Sequence, residues 1–144
     1  LLLIVGGWYV VHWLSARRDR DKARREMCAK AADTLLIAAD ALLSKAVQYH
    51  TNPREHVLER EIKSGLQDLA LHMAELGQVC EDQAPLKACI TAVGHCRRAI
   101  TRTHFEDDHT GAIDMTHAVL QDLADATLDL KRRLARLKYS QFPG

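Results

Sequence analysis

Aromatic residues are scarce: two Trp, three Tyr and two Phe make up 5% of 144 residues. Trp8, Tyr9 and Trp13 already account for three of them near the start. The rest of the chain must build its core from Leu, Ala, Ile, Val and Met. That palette suits packed helices, whereas a sheet draws on β-branched and aromatic residues. Three prolines and seven glycines leave little room for long loops. Neither sign of charge prevails, since 20 Lys and Arg stand against 19 Asp and Glu for a formal net charge of +1. The chain thus lacks the basic excess that marks a nucleic-acid binder. There is no Gly-rich phosphate loop, no nucleophile elbow and no HExxH motif. The CxxC pattern of zinc sites is absent too, and ExxH occurs once, at Glu106–His109, where di-iron bundles need it on two helices. No catalytic residue and no cofactor are assigned on this evidence.

What is present begins with LLLIVGGWYVVHWL, fourteen residues without formal charge, followed abruptly by SARRDRDKARRE. The reading is a transmembrane helix over residues 1–14 running into a basic juxtamembrane stalk over residues 15–26. Fourteen residues at about 1.5 Å each cover ~21 Å, short of the ~30 Å of a bilayer core. The chain starts at Leu1 and not Met, so the span is expected to be partly truncated. Trp8, Tyr9 and Trp13 sit toward the charged end, where amphipathic rings favour the headgroup level. Arg17, Arg18, Arg20, Lys22, Arg24 and Arg25 then place that flank in the cytoplasm by the positive-inside bias. A basic leader on the other flank would reverse this. Gly6, Gly7, Trp8 and Trp13 are the candidate contacts with another membrane helix, because small residues permit close approach.

Apolar residues recur every three to four positions through the remainder, which predicts four helices. In the first, Cys28, Ala31, Leu35, Ala38, Leu42 and Tyr49 form the stripe, with Ala46 beside it. Nothing between Trp8 and Thr51 breaks a helix, so span and first helix are expected to form one rod of about fifty residues, or ~75 Å. Thr51 or Asn52 would cap the second helix, with Pro53 in its first turn. Its stripe is Leu58, Ile62, Leu66, Leu69, Met73, Leu76 and Cys80. Asp82 is the candidate N-cap of the third, which runs from about Ala84 to Phe105 and carries Leu86, Ile90, Val93 and Ile100. The fourth carries Ile113, Thr116, Leu120, Leu123, Thr127, Leu130, Leu134 and Leu137 as a heptad seam. Short connections favour an antiparallel up-down four-helix bundle over residues 27–138, with a tail over 139–144. The fold class is all-α.

That topology brings the fourth helix back to the membrane, so Lys131, Arg132, Arg133, Arg136 and Lys138 join Arg17, Arg18 and Arg20 as candidate contacts to anionic lipid headgroups. The plainer reading is that cations at a helix C-terminus complement its dipole. Cys28, Cys80, Cys89 and Cys96 are read as small buried hydrophobes. A Cys80–Cys89 disulfide is conceivable, and a cytoplasmic location argues against it. A periplasmic bundle would make disulfides the default. His50, His56, His104 and His109 flank the distal turns and are weak metal candidates, better read as solvated loop residues because their spacing enforces no ligand geometry. Arg97, Arg98 and Arg102 form a small basic face, and Asp33 and Asp40 a wet face of the first helix. Two functions fit. One is a non-catalytic, single-pass accessory subunit docked on a larger membrane complex. The other is a membrane-tethered sensor or effector that changes oligomeric state; a homo-oligomer belongs to that reading.

Overall fold

The computed structural model describes residues 2–81, 83–101, 105–106 and 118–141. Four helices make up the described elements: α1 (Leu2–Thr51), α2 (His56–Val79), α3 (Gln83–Thr101) and α4 (Ala118–Gln141). The expected rod is present, since α1 runs for 50 residues without interruption. The membrane-spanning part of that expectation is not supported. No helix among the described residues is long and apolar enough to cross a membrane. The physical reason is that Arg17, Arg18 and Asp19 follow too closely on the apolar run, and each charge opposes entry into hydrocarbon.

Antiparallel packing is fixed by contacts at both ends. Tyr49 meets Glu59 across the α1–α2 turn, and Cys28 meets Cys80 at the other end of the same two helices. Lys138 and Lys131 of α4 pair with Asp33 and Asp40 of α1 at 2.8 and 2.9 Å. The two pairs step by seven in opposite directions, as an antiparallel heptad register requires. His50 at the end of α1 lies 3.1 Å from the carbonyl of Ile100 at the end of α3, so those two helices run parallel. The order is therefore up-down-up-down, and of the four neighbouring pairs around the bundle α2 and α3 touch least.

The seams of α2 and α4 match the periodicity, position for position, wherever they are described. Ile113 and Thr116 lie outside the described residues. On α1 the buried row is Cys28, Ala32, Leu35, Ala39, Leu42, Ala46 and Tyr49, so Ala32 and Ala39 replace Ala31 and Ala38 in the centre. The α3 reading needs more correction. Its core positions are Leu86, Cys89, Ala92, Cys96 and Ile100, while Ile90 is half exposed. Two cysteines and an alanine thus hold the middle of the seam.

The first turn also differs. Thr51 ends α1 and returns its hydroxyl to the Val47 carbonyl at 2.7 Å, while the Asn52 amide donates to the Gln48 carbonyl at 2.7 Å. Both side chains satisfy the last carbonyls of α1 instead of capping α2. Pro53 stays in the turn, and the extended Glu55 precedes α2. Asp82 lies outside the described residues. At its far end α4 continues to Gln141, past the expected boundary at 138.

Gly65 marks a close approach of α1 and α2: a Cβ there would stand 2.9 Å from Leu42 Cδ1. Gly94 is the opposite case, with nothing within 4 Å of an added Cβ. Gly94→Ala is therefore expected to stabilise the bundle by about 0.5–1 kcal/mol, through helix propensity alone. Chemical denaturation would show an increased midpoint, and a decrease would show that α3 tolerates no side chain there.

Candidate interaction site on the arm of the first helix

Residues 2–26 of α1 project past the bundle, a length of ~37 Å at helical rise. Leu3, Ile4, Val5, Trp8, Tyr9, Val10, Val11, Trp13 and Leu14 are all exposed there. An amphipathic helix concentrates apolar residues on one stripe, whereas residues 3–14 of this arm are apolar around the whole circumference. Trp8 stacks on His12 with ring centroids 5.3 Å apart. The Arg17 guanidinium lies 5.5 Å from the Trp13 ring centroid, a cation–π arrangement at the border between apolar and charged segments. Below it, Trp13, Arg17, Arg20 and Arg24 recur at steps of four and three and line an open groove with Asp21. Arg24 reaches across to Glu81, just past the end of α2. One turn further on, the Cys28–Cys80 disulfide joins α1 to α2 with its Cα atoms 5.3 Å apart.

Each residue singled out in the sequence now has a place. A Cβ added at Gly6 or Gly7 would meet nothing within 4 Å among the described residues. At about 100° per residue, Gly6 and Trp13 share a face, Gly7 stands to the side and Trp8 nearly opposite. One partner helix could not use all four. Arg17, Arg18 and Arg20 are exposed on the arm. The α4 cluster is different, because acids of α1 and one of α4 itself engage it. Asp40 takes Lys131, Asp33 takes Lys138, and Asp129 takes Arg133 at 2.9 Å. Arg132 and Arg136 remain exposed. The wet face containing Asp33 and Asp40 is thus a row of partners for α4.

The cysteine reading is overturned in part. Cys28 and Cys80 are buried but covalently joined, and Cys80 does not pair with Cys89. Cys89 and Cys96 are buried thiols, as expected, and burial pushes both up to about 11. Tyr49 and Glu59 each stand five positions from Arg54, and Cys28 and Cys80 each stand 26. One antiparallel register explains both pairs. A sequence reading that centred the turn on Arg54 would have found the bridge.

At the distal end His50 is buried against the Ile100 carbonyl, and the exposed His56 stands 3.9 Å from Glu59. His104 and His109 lie outside the described residues, as does Arg102. Among the described residues no group of three His, Cys, Asp or Glu side chains could hold a metal ion. A buried polar cluster that the periodicity did not reveal occupies this end instead. Glu59 accepts from Arg54 Nε at 2.8 Å and from the Tyr49 hydroxyl at 3.2 Å. Tyr49 in turn accepts from the Glu106 backbone N–H at 3.1 Å and packs on Phe105. The Arg54 hydrogen bond holds the Glu59 carboxyl below the usual range against the opposing effect of burial. Burial raises the Tyr49 phenol. The cluster ties the α1–α2 turn to the segment after α3, and it is a structural clasp.

A second surface feature is an open groove of about 620 Å³ between α3 and α4, lined by His95, Arg98, Asp122, Asp125 and Asp129 among others. Arg98 of the expected basic face therefore lies among acids, while Arg97 is exposed. Comparison with known protein families, with curated proteins and with solved structures finds no match to this chain.

Proposed function

We propose that this protein is a non-catalytic helical subunit attached to a membrane through the arm of α1, docking there on a larger membrane complex. The observation that carries the reading is the exposed arm, apolar on every side. In water such a surface favours association, and a helix apolar all round is at home in lipid or in a protein interior. The aromatic and arginine border supports the same reading, with Trp13 and Arg17 at headgroup depth and Arg18 and Arg20 available to anionic phosphates. Single-pass attachment is the fuller form of the proposal. The fourteen apolar residues fall short of a bilayer, a mismatch that helix partners or local thinning accommodate. Gly6 with Trp13 is then the face offered to a partner helix.

Flotation of the full chain with phospholipid vesicles tests attachment. Val5→Asp is expected to lower partitioning roughly a hundredfold, from the cost of about 3 kcal/mol for a charge within hydrocarbon. A variant that floats as well as the native chain would remove the arm from consideration. Gentle detergent extraction from native membranes, followed by sizing and mass spectrometry, tests the complex. Stoichiometric association with a larger assembly supports the accessory role. A homo-oligomer alone favours the tethered sensor, for which the groove between α3 and α4 is the observation in hand.

A further inference from the structure

We propose that the bundle folds in an oxidising compartment, where a disulfide-bearing oxidant closes the Cys28–Cys80 bridge, and that it stands on the non-cytoplasmic side of its membrane. The membrane half of this statement rests on the proposed attachment; the oxidising half does not.

Four cysteines permit several pairings, and the fold selects one. Cys28 and Cys80 lie at matching heights of the α1–α2 hairpin and are joined. Cys89 and Cys96 are seven apart on α3, two turns or ~10 Å, too far to bridge each other. Both are buried and stay protonated at neutral pH, so neither supplies the thiolate that would attack the bridge. Two sulfurs are thus placed for oxidation and two are withheld from it.

The bridge also sits where a covalent tie has an effect. The α1–α2 turn already closes one end of this pair of helices. The bridge closes the other, at the root of the arm, beside the Arg24–Glu81 ion pair. Force applied to the arm is then carried by two helices and not by one.

Formation balances as thiol–disulfide exchange. The Cys28 thiolate attacks one sulfur of the oxidant's disulfide and displaces its partner thiolate. The Cys80 thiolate then attacks Cys28 Sγ, closes the protein disulfide and releases the second thiolate. The oxidant takes up two electrons and, with the two protons that Cys28 and Cys80 lose, leaves as a dithiol. Cys28 and Cys80 are 0% and 3% exposed, so an oxidant meets them before α1 and α2 close together. Once closed, the bridge is sheltered from reductant.

Cytosolic thiol pools keep such pairs reduced, whereas the periplasm, the lumen of the secretory pathway and the cell exterior allow them to persist. The basic flank after the arm argues the other way by the positive-inside bias. That bias compares the two flanks of a span, and one flank alone does not set it. A covalent bond reports directly on the side where the bundle folded.

The test is a thiol count on the full chain in its native cells, quenched in acid. Free thiols are blocked with N-ethylmaleimide in denaturant, and the sample is then reduced and tagged with a heavier maleimide. The expected result is two blocked positions, Cys89 and Cys96, and two tagged ones, Cys28 and Cys80. Cys28→Ser should abolish tagging altogether. Four blocked cysteines would overturn the proposal, and a tag on Cys89 or Cys96 would overturn the pairing. Membrane flotation of a portion of the same cells, lysed without acid or denaturant, separates the two readings. A bridged chain that does not float refutes attachment and the membrane side, leaving the oxidising compartment in force. A floating chain with four free thiols does the reverse.

Discussion

Replacing Cys28 and Cys80 together by Ser lowers the unfolding free energy by about 4 kcal/mol. The figure comes from the sequence separation of 52 that the bridge closes, through the chain entropy it removes from the unfolded state. Both cysteines are replaced so that no buried thiol is left without its partner. Denaturant unfolding of the double variant, compared with the oxidised native chain, measures the loss as a fall in midpoint. Native chain unfolded with reductant present should show nearly the same loss, because the shared effect lies in the unfolded chain. Equal stability of oxidised and reduced protein would mean that the bridge constrains nothing the helices do not already hold. The free cysteines give a contrast. Cys89 and Cys96 pack as apolar groups with raised pKa values, so maleimide should react with them only as the bundle opens.

Glu59→Gln is the second large effect, a loss of about 3 kcal/mol. Removing one partner of a buried ion pair typically costs 3–5 kcal/mol. The lower end applies because Arg54 keeps part of its side chain in water. Tyr49→Phe should cost less, about 1 kcal/mol, since it removes a neutral donor that also accepts from the Glu106 N–H. The same carboxylate sets a pH dependence. Its pKa is depressed on folding, chiefly by the Arg54 hydrogen bond, so the unfolded chain takes up this proton at higher pH. The stabilisation is therefore complete above the ordinary carboxylate value near 4.5 and is lost as the pH falls through the lower folded value. Glu59→Gln should flatten that acid limb as well as lower the plateau. An unchanged acid limb would show that other carboxylates govern it.

Helical class was legible because it depends on local pattern. The seams of α2 and α4 follow from spacing within one segment, and neither needs a partner to be read. The apolar arm with its arginine border is equally local. On α3 the reading failed for an identifiable reason. Ile90 looked like core by hydrophobicity and is half exposed, and Val93 flanks the core, while Cys89, Ala92 and Cys96 face inward as small close-packing positions. Turn chemistry misled too, since Thr51, Asn52 and Pro53 suit the start of a helix as well as the end of one.

By itself, then, the sequence determined that the chain is helical, where two of its seams run and that its first residues form an apolar arm ending in arginines. Tertiary structure fixed the register that joins Cys28 to Cys80, and it alone decided that Asp33 and Asp40 engage the lysines of α4 and that Glu59 is buried with Arg54 and Tyr49. Those facts depend on the register between helices, and register is set by the closing of turns and the meshing of side chains from distant segments. Periodicity within one helix is blind to it. Lys131 and Lys138 look unopposed along the chain because their acids lie about ninety to a hundred positions away, brought alongside only when α4 packs antiparallel to α1.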